Sequence, residues 1–169
     1  ILAICDTMRN EFVDILGMDK TKVELVYNPI NLKIIREKAE NVNPDYEKYL
    51  KENYFLQVSR LTQQKQPEHL VDIYYKLKQR GIKEKLYFIG NGEKVELIKQ
   101  KIKEYNLEND VILLGQIENP YPFFKNAKLF VHTAKYEGLP TVLLESLAFG
   151  MPVVAYDCPT GPKDILGGN

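Results

Sequence analysis

An α/β domain built on a doubly wound parallel sheet is what this sequence predicts, on three observations. Between residues 54 and 156, apolar runs of four or five residues recur, most of them closed by Gly, Asn, Asp or Pro. None alternates polar with apolar, so both faces of each strand must be covered, as in a parallel sheet flanked by helices. Stretches with apolar residues at helical spacing separate the runs, which gives right-handed crossovers between parallel neighbours. The 169 residues suffice for one such domain with a sizeable core.

Each element follows from local signals. Ile1–Cys5 reads as a buried strand, and Asp6 or Thr7 can cap a helix through about Leu16, since their side-chain oxygens accept from first-turn N–H groups. Val23–Tyr27 alternates as a strand and ends at the turn signal Asn28-Pro29. From about Asn31 to Leu50 the chain is charged with weak helical periodicity, and a surface excursion is expected. Tyr54–Val58 then reads as a strand, and Pro67–Gln79 as a helix with Leu70, Ile73, Tyr74 and Leu77 on one face. Leu86–Ile89 is the next strand, closed by Gly90-Asn91-Gly92, and Glu93–Tyr105 a helix with Val95, Leu97, Ile98 and Ile102 inward. Val111–Leu114, Leu129–His132 and Pro152–Tyr156 complete the strands, with short helices at Tyr121–Asn126, after Pro140, and from Gly161-Pro162 through Leu166.

Composition narrows the function classes. Lys+Arg and Asp+Glu balance at 23 each, so no global field favours a nucleic acid partner. Cys5 and Cys158 stand far apart, without metal or redox spacing, which points to reduced thiols in a cytoplasmic protein. No run approaches the roughly 20 apolar residues of a membrane-spanning helix. The chain begins inside an apolar run and ends on the turn Gly167-Gly168-Asn169, so it reads as part of a longer protein.

The segment Glu137-Gly138-Leu139-Pro140-Thr141-Val142-Leu143-Leu144-Glu145 carries the most chemistry. A Gly/Pro turn feeding a helix gathers unpaired N–H groups and the positive end of the helix dipole, which suits a phosphate. Carboxylates on either side, Glu137 and Glu145, accept hydrogen bonds from hydroxyls, so the segment suits a polyol, a phosphate and a second polyol. A glycosidase-type acid/base pair is the rival reading, but phosphate-type donors and nearby cations favour two ionised carboxylates. The apolar neighbours Leu143, Leu144, Leu147 and Ala148 make this a largely buried helix, where a carboxylate needs a partner.

Other polar features fall at the same edge, the carboxyl ends of the strands, where open parallel sheets bind ligands. Arg60 and Lys65 supply cations, a guanidinium fork and a point charge; as isolated surface charges they would mean little. Together they can stabilise a leaving diphosphate. Gly90 and Gly92 lack the third glycine of a dinucleotide fingerprint, because Val95 stands in its place; a tight turn and close backbone approach to a ligand both remain open. His132 ends a strand at this edge and could touch a ligand or pack; His69, early in a helix, is read as packed or solvated. No metal site is expected, since the two histidines have no carboxylate or cysteine at ligand spacing.

In order along the chain, Val26–Ile30, Ser59-Arg60-Leu61 to Lys65, Ile89-Gly90-Asn91-Gly92 and Glu137–Glu145 resemble glycosyltransferase family 4, the group 1 glycosyltransferases of the GT-B fold. Gly150–Ala155 and Gly161–Leu166 extend the likeness, while Thr141 and Asp164 stand where asparagine and glutamate are usual. The resemblance implies a Rossmann-like domain over residues 21–169, truncated at its C-terminal end, with residues 1–20 the remnant of an N-terminal acceptor domain that is otherwise missing. Arg60 and Lys65 look like the diphosphate cations, Glu137 like the contact to the donor sugar, and Glu145 like the contact to the ribose. Backbone N–H groups of Leu139, Thr141 and Val142 would meet sugar and phosphate, with Gly90 and Gly92 near the donor.

The activity so implied is retaining transfer of a hexose-type sugar, without metal, from a nucleotide sugar to a glycan or lipid-linked acceptor. UDP-sugar is the first expectation for the donor, with GDP- or ADP-sugar as alternatives. Bacterial polysaccharide or lipopolysaccharide synthesis is the expected setting, in the cytoplasm with peripheral contact at the inner face of the membrane. The 169 residues alone are expected to bind donor without turnover. A non-catalytic nucleotide-sugar-binding module and a sugar-nucleotide epimerase stay open as alternatives.

Overall fold

The computed structural model describes residues 1–167. Its elements are β1 (Leu2–Ala3), α1 (Asp6–Asp14), β2 (Glu24–Leu25), α2 (Leu32–Glu40), α3 (Glu47–Leu50), β3 (Tyr54–Val58), α4 (Pro67–Gln79), β4 (Lys85–Ile89), α5 (Val95–Glu104), β5 (Val111–Leu113), α6 (Tyr121–Asn126), β6 (Leu129–His132), α7 (Thr141–Ala148), β7 (Val153–Ala155) and α8 (Pro162–Leu166). Short 3-10 turns lie at Lys20–Lys22 and Pro44–Tyr46.

The five later strands form one parallel sheet in the order β5-β4-β3-β6-β7, the doubly wound arrangement expected. The chain winds outward from β3 through β4 to β5, then returns to lay β6 on the other side of β3. Loops leaving the carboxyl ends of β3 and β6 therefore diverge and open a crevice between them.

Two apolar clusters cover the two faces. Along β4, Leu86 and Phe88 pack with Leu70, Tyr74 and Ile98, while Tyr87 and Ile89 pack with Tyr54, Phe123 and Phe130. This is the period of two that a pleated strand imposes, with both faces apolar because both are buried. The second layer is aromatic: Tyr54 and Tyr87 stack with ring centroids 4.4 Å apart, and the Tyr54 hydroxyl donates to the Phe123 carbonyl at 2.9 Å. Burial holds the Tyr54 phenol well above its ordinary pKa, so it stays a donor.

The first fifty residues differ most from expectation. Ile1 and Leu2 are exposed, because β1 has only the two-residue β2 beside it; Ala3 and Cys5 alone are buried there. Cys5, not Asp6 or Thr7, is the N-cap of α1, and no side chain caps it. Asp6 is instead the first helical residue and accepts from the Tyr27 hydroxyl at 2.8 Å. The segment from Asn31 is no mere surface excursion. The Asn31 side chain caps α2 by accepting from the Ile34 N–H at 3.1 Å, and Ile35 and Ala39 are buried where α2 packs on α6.

Smaller departures concern helix faces. Val71 is buried on α4 whereas Ile73 and Leu77 are only partly covered, and on α5 only Ile98 and Ile102 are buried. Leu147 of α7 is exposed, so that helix is less buried than its apolar sequence implies. Of the closing turn expected at Gly167-Gly168-Asn169, the last two residues lie outside the described residues.

Candidate functional site

The crevice at the β3/β6 reversal holds two adjoining cavities that share Val58, Ser59 and Arg60. The smaller, about 270 Å³, is lined by Arg60 and Lys65 from the loop after β3, and by Glu137, Leu139, Thr141 and Val142 from the turn into α7. The larger, about 440 Å³, is lined by Gly90 and Asn91 after β4 and by Gln116 and Ile117 after β5. Six residues expected at the site thus meet around one cavity, and Gly90 stands in the next.

Main-chain bonds tie these loops together. The Leu61 N–H donates to the Asn91 carbonyl at 2.9 Å, the Gly90 N–H to the Gly115 carbonyl at 2.8 Å, and the Lys135 N–H to the Gln64 carbonyl at 2.8 Å. Gly92 is not among the lining residues; a Cβ there would come within 2.7 Å of the Leu61 carbonyl carbon, so its need is structural. The α7 N-terminus enters the smaller cavity. Pro140 precedes it and no side chain caps it, so the first-turn N–H groups of Thr141 and Val142 remain for a ligand.

Lys65 and Glu137 are paired directly with each other, and their side chains are 14% and 7% exposed. Lys65, expected at the diphosphate, thus lines the cavity with a carboxylate as its present partner. The reason is proximity: both line the small cavity, and a carboxylate with so little water takes the nearest cation. His132, 1% exposed at the end of β6, places Nε2 2.9 Å from the same oxygen, Glu137 Oε1. Of its two readings, ligand contact or packing, the structure shows a third: it holds a carboxylate. His69 is exposed on α4.

The two glutamates are shifted in opposite directions by their surroundings. Burial pushes Glu137 up, but hydrogen bonds from His132 and Lys65 outweigh it and hold the carboxyl below its ordinary value. Glu145, on the fifth residue of α7, has burial against it and only the Tyr121 hydroxyl in its favour at 3.0 Å, so its pKa is raised. Burial and the adjacent carboxylate push the Tyr121 phenol up to about 12, which keeps it a donor.

Stability should follow these signs. A depressed folded value makes Glu137 stabilising above the ordinary glutamate value of 4.5, a contribution lost as pH falls through the lowered value. A raised folded value makes Glu145 costly in its charged form, so its contribution is present below 4.5 and lost as pH rises through the raised value. At pH 7, Glu145→Gln is expected to melt about 2–4 °C above the parent and Glu137→Gln about 2–4 °C below it in a thermal scan. The Glu145 difference should vanish near pH 4.5, while the Glu137 difference persists to more acid pH.

Sequence reasoning missed Tyr121, Gln116, Ile117 and the role of His132. Tyr121 follows Pro120 at the start of a short helix and carried no polar motif. Gln116 and Ile117 sit in a loop whose signals, Gly115 and Asn119-Pro120, mark turns and no ligand contact.

Residues 38–169 match the family described as Glycosyl transferases group 1. The chain is 34% identical, over 158 residues, to the N-acetylgalactosamine-N,N'-diacetylbacillosaminyl-diphospho-undecaprenol 4-alpha-N-acetylgalactosaminyltransferase of Campylobacter jejuni, covering 93% of this chain and 41% of that one. Among solved structures it is similar to the lipopolysaccharide outer core galactosyltransferase WaaB, with a TM-score of 0.74 and 28% identity over 96% of this chain and 44% of that one. HepE of Anabaena in complex with UDP and glucose shares the fold, with a TM-score of 0.76 and 20% identity over 93% of this chain and 44% of that one. The chain thus spans less than half the length of these relatives. With the family match covering most of its residues, the chain belongs to the group 1 glycosyl transferases.

Proposed function

We propose that this chain is the donor-binding, C-terminal domain of a family 4 retaining glycosyltransferase that moves a hexose-type sugar from a nucleoside diphosphate sugar to a glycan or lipid-linked acceptor. The observation that carries it is the small cavity, where two cations, a carboxylate and an uncapped helix N-terminus converge at the sheet reversal. Arg60, Lys65 and the N–H groups of Thr141 and Val142 take the diphosphate; Glu137 takes hydroxyls of the sugar. Glu145, one turn along α7, takes the ribose, and the nucleobase enters the larger cavity beside Gln116 and Ile117.

As the glycosidic bond to the donor phosphate breaks, negative charge gathers on the leaving diphosphate. Arg60 and Lys65 stabilise it at the place where it develops. Glu137 is an ionised hydrogen-bond acceptor and not a proton donor, because Lys65 and His132 hold its pKa down. The acceptor sugar is bound by a further domain, as the greater length of the relatives suggests. UDP is the first candidate for the donor nucleotide, on the HepE complex. Polysaccharide or lipopolysaccharide assembly at the inner face of a bacterial cytoplasmic membrane is the proposed setting, after WaaB and the diphospho-undecaprenol enzyme.

Thermal-shift measurements with UDP, GDP, ADP and NAD test this reading. A nucleoside diphosphate is expected to raise the melting temperature, and Glu145→Ala to abolish the rise. Stabilisation by NAD alone would overturn it.

A further inference from the structure

We propose that His132 is a positioning residue for sugar recognition: from β6 it fixes the Glu137 carboxylate in place, so that one oxygen stays available to the donor sugar while Lys65 turns to the diphosphate. The proposal rests on the reading of the cleft given above.

Both contacts to this carboxylate, from His132 Nε2 at 2.9 Å and from Lys65 Nζ, fall on Glu137 Oε1. Among the described residues no side chain or N–H donates to Oε2, and Glu137 lines the small cavity, so Oε2 is the oxygen left for a ligand. The two donors differ in kind. Lys65 sits on the loop after β3 at the end of a flexible stem, and it lines the same cavity as Arg60 and the α7 N-terminus. A diphosphate there competes with Glu137 for its ammonium group.

His132 has no such freedom. Its ring is buried at the end of a central strand, against the Phe130 ring with centroids 6.5 Å apart. A carboxylate opposite Nε2 puts the ring hydrogen on that nitrogen, and Nδ1 is buried with no hydrogen-bond partner. The imidazole therefore has Glu137 as its hydrogen-bond partner and no other polar contact to turn toward. When a ligand draws Lys65 away, His132 keeps Glu137 in its rotamer, and the carboxylate meets the sugar already oriented.

The test is calorimetric titration of the full-length protein with UDP and with UDP-glucose as probes, for the parent and for His132→Leu, His132→Asn, His132→Gln and Glu137→Ala. Leu and Asn, which cannot reach Glu137, are expected to weaken UDP-glucose binding about tenfold while leaving UDP unchanged. Gln, whose amide nitrogen can donate from the reach of Nε2, is expected to restore most of the sugar preference. A packing role alone would move UDP and UDP-glucose together, or move neither, and either result would overturn the proposal; the Asn and Gln pair decides the matter if Leu does not fold. If Glu137→Ala itself leaves the preference for UDP-glucose over UDP intact, the assignment of Glu137 to the sugar falls, and His132 with it.

Discussion

In the full-length protein, Lys65→Ala is expected to lower the proposed sugar transfer by about two to three orders of magnitude, the usual cost of removing one donor that meets charge developing in a transition state. It should also destabilise the fold by about 1–3 kcal/mol, because the Glu137 carboxylate, 7% exposed, keeps only the His132 donor. The two effects can be separated. Lys65→Met retains the apolar stem and removes only the charge; pairing it with Glu137→Gln removes the orphaned carboxylate as well. The double variant should regain most of the stability in urea unfolding while remaining at least as slow as Lys65→Met in initial-rate assays. A Lys65 variant that transfers sugar at the parental rate would show that the cation serves Glu137 and not the leaving group.

Gly90→Ala is expected to cost about 3–5 kcal/mol and to lower the melting temperature by about 10 °C or more. Gly90 adopts φ +135°, where side chains are rare, and a Cβ there would overlap the Ser59 carbonyl group, with its carbon at 2.9 Å. The Gly90 N–H is also bonded to Gly115, so the residue is clamped between the ends of β3 and β5 and cannot retreat. Gly115→Ala is the control. It also has positive φ, at +72°, but nothing lies within 4 Å of its Cβ, so only about 1 kcal/mol of backbone strain is expected. Comparable losses in the two variants would mean that the close approach to Ser59 contributes little.

The sheet was legible where the sequence is loud. β3, α4, α6 and β6 run as expected to the residue, since each is a compact apolar or amphipathic run between Pro, Gly or Asn signals. The first fifty residues were not, because their order comes from distant partners. α2 buries only Ile35 and Ala39, and its Glu40 pairs with Lys125 of α6, 85 positions on; no local period of that sparseness announces burial.

In the cleft, residue types revealed which groups gather at the sheet edge but not how they bond. Lys65 and Glu137 are 72 positions apart, and their pairing is a fact of the β3/β6 adjacency. The same holds for the raised pKa of Glu145. Its two relevant facts, burial and a lone tyrosine donor, both arise from tertiary packing. His132 was visible as a polar residue at the ligand edge; that it faces a carboxylate follows from the turn at Glu137, which folds back over the strand end.

The main-chain ties among the β3, β4, β5 and β6 loops have an evolutionary consequence. Hydrogen bonds between N–H and carbonyl groups do not depend on which side chains the loops carry. In the proposed donor cleft, substitutions at Gln116 or Thr141 are therefore expected to retune the choice of nucleotide or sugar without shifting its walls. Under that proposal, frame and selectivity are separately mutable, and a lineage could change its donor while inheriting the same crevice.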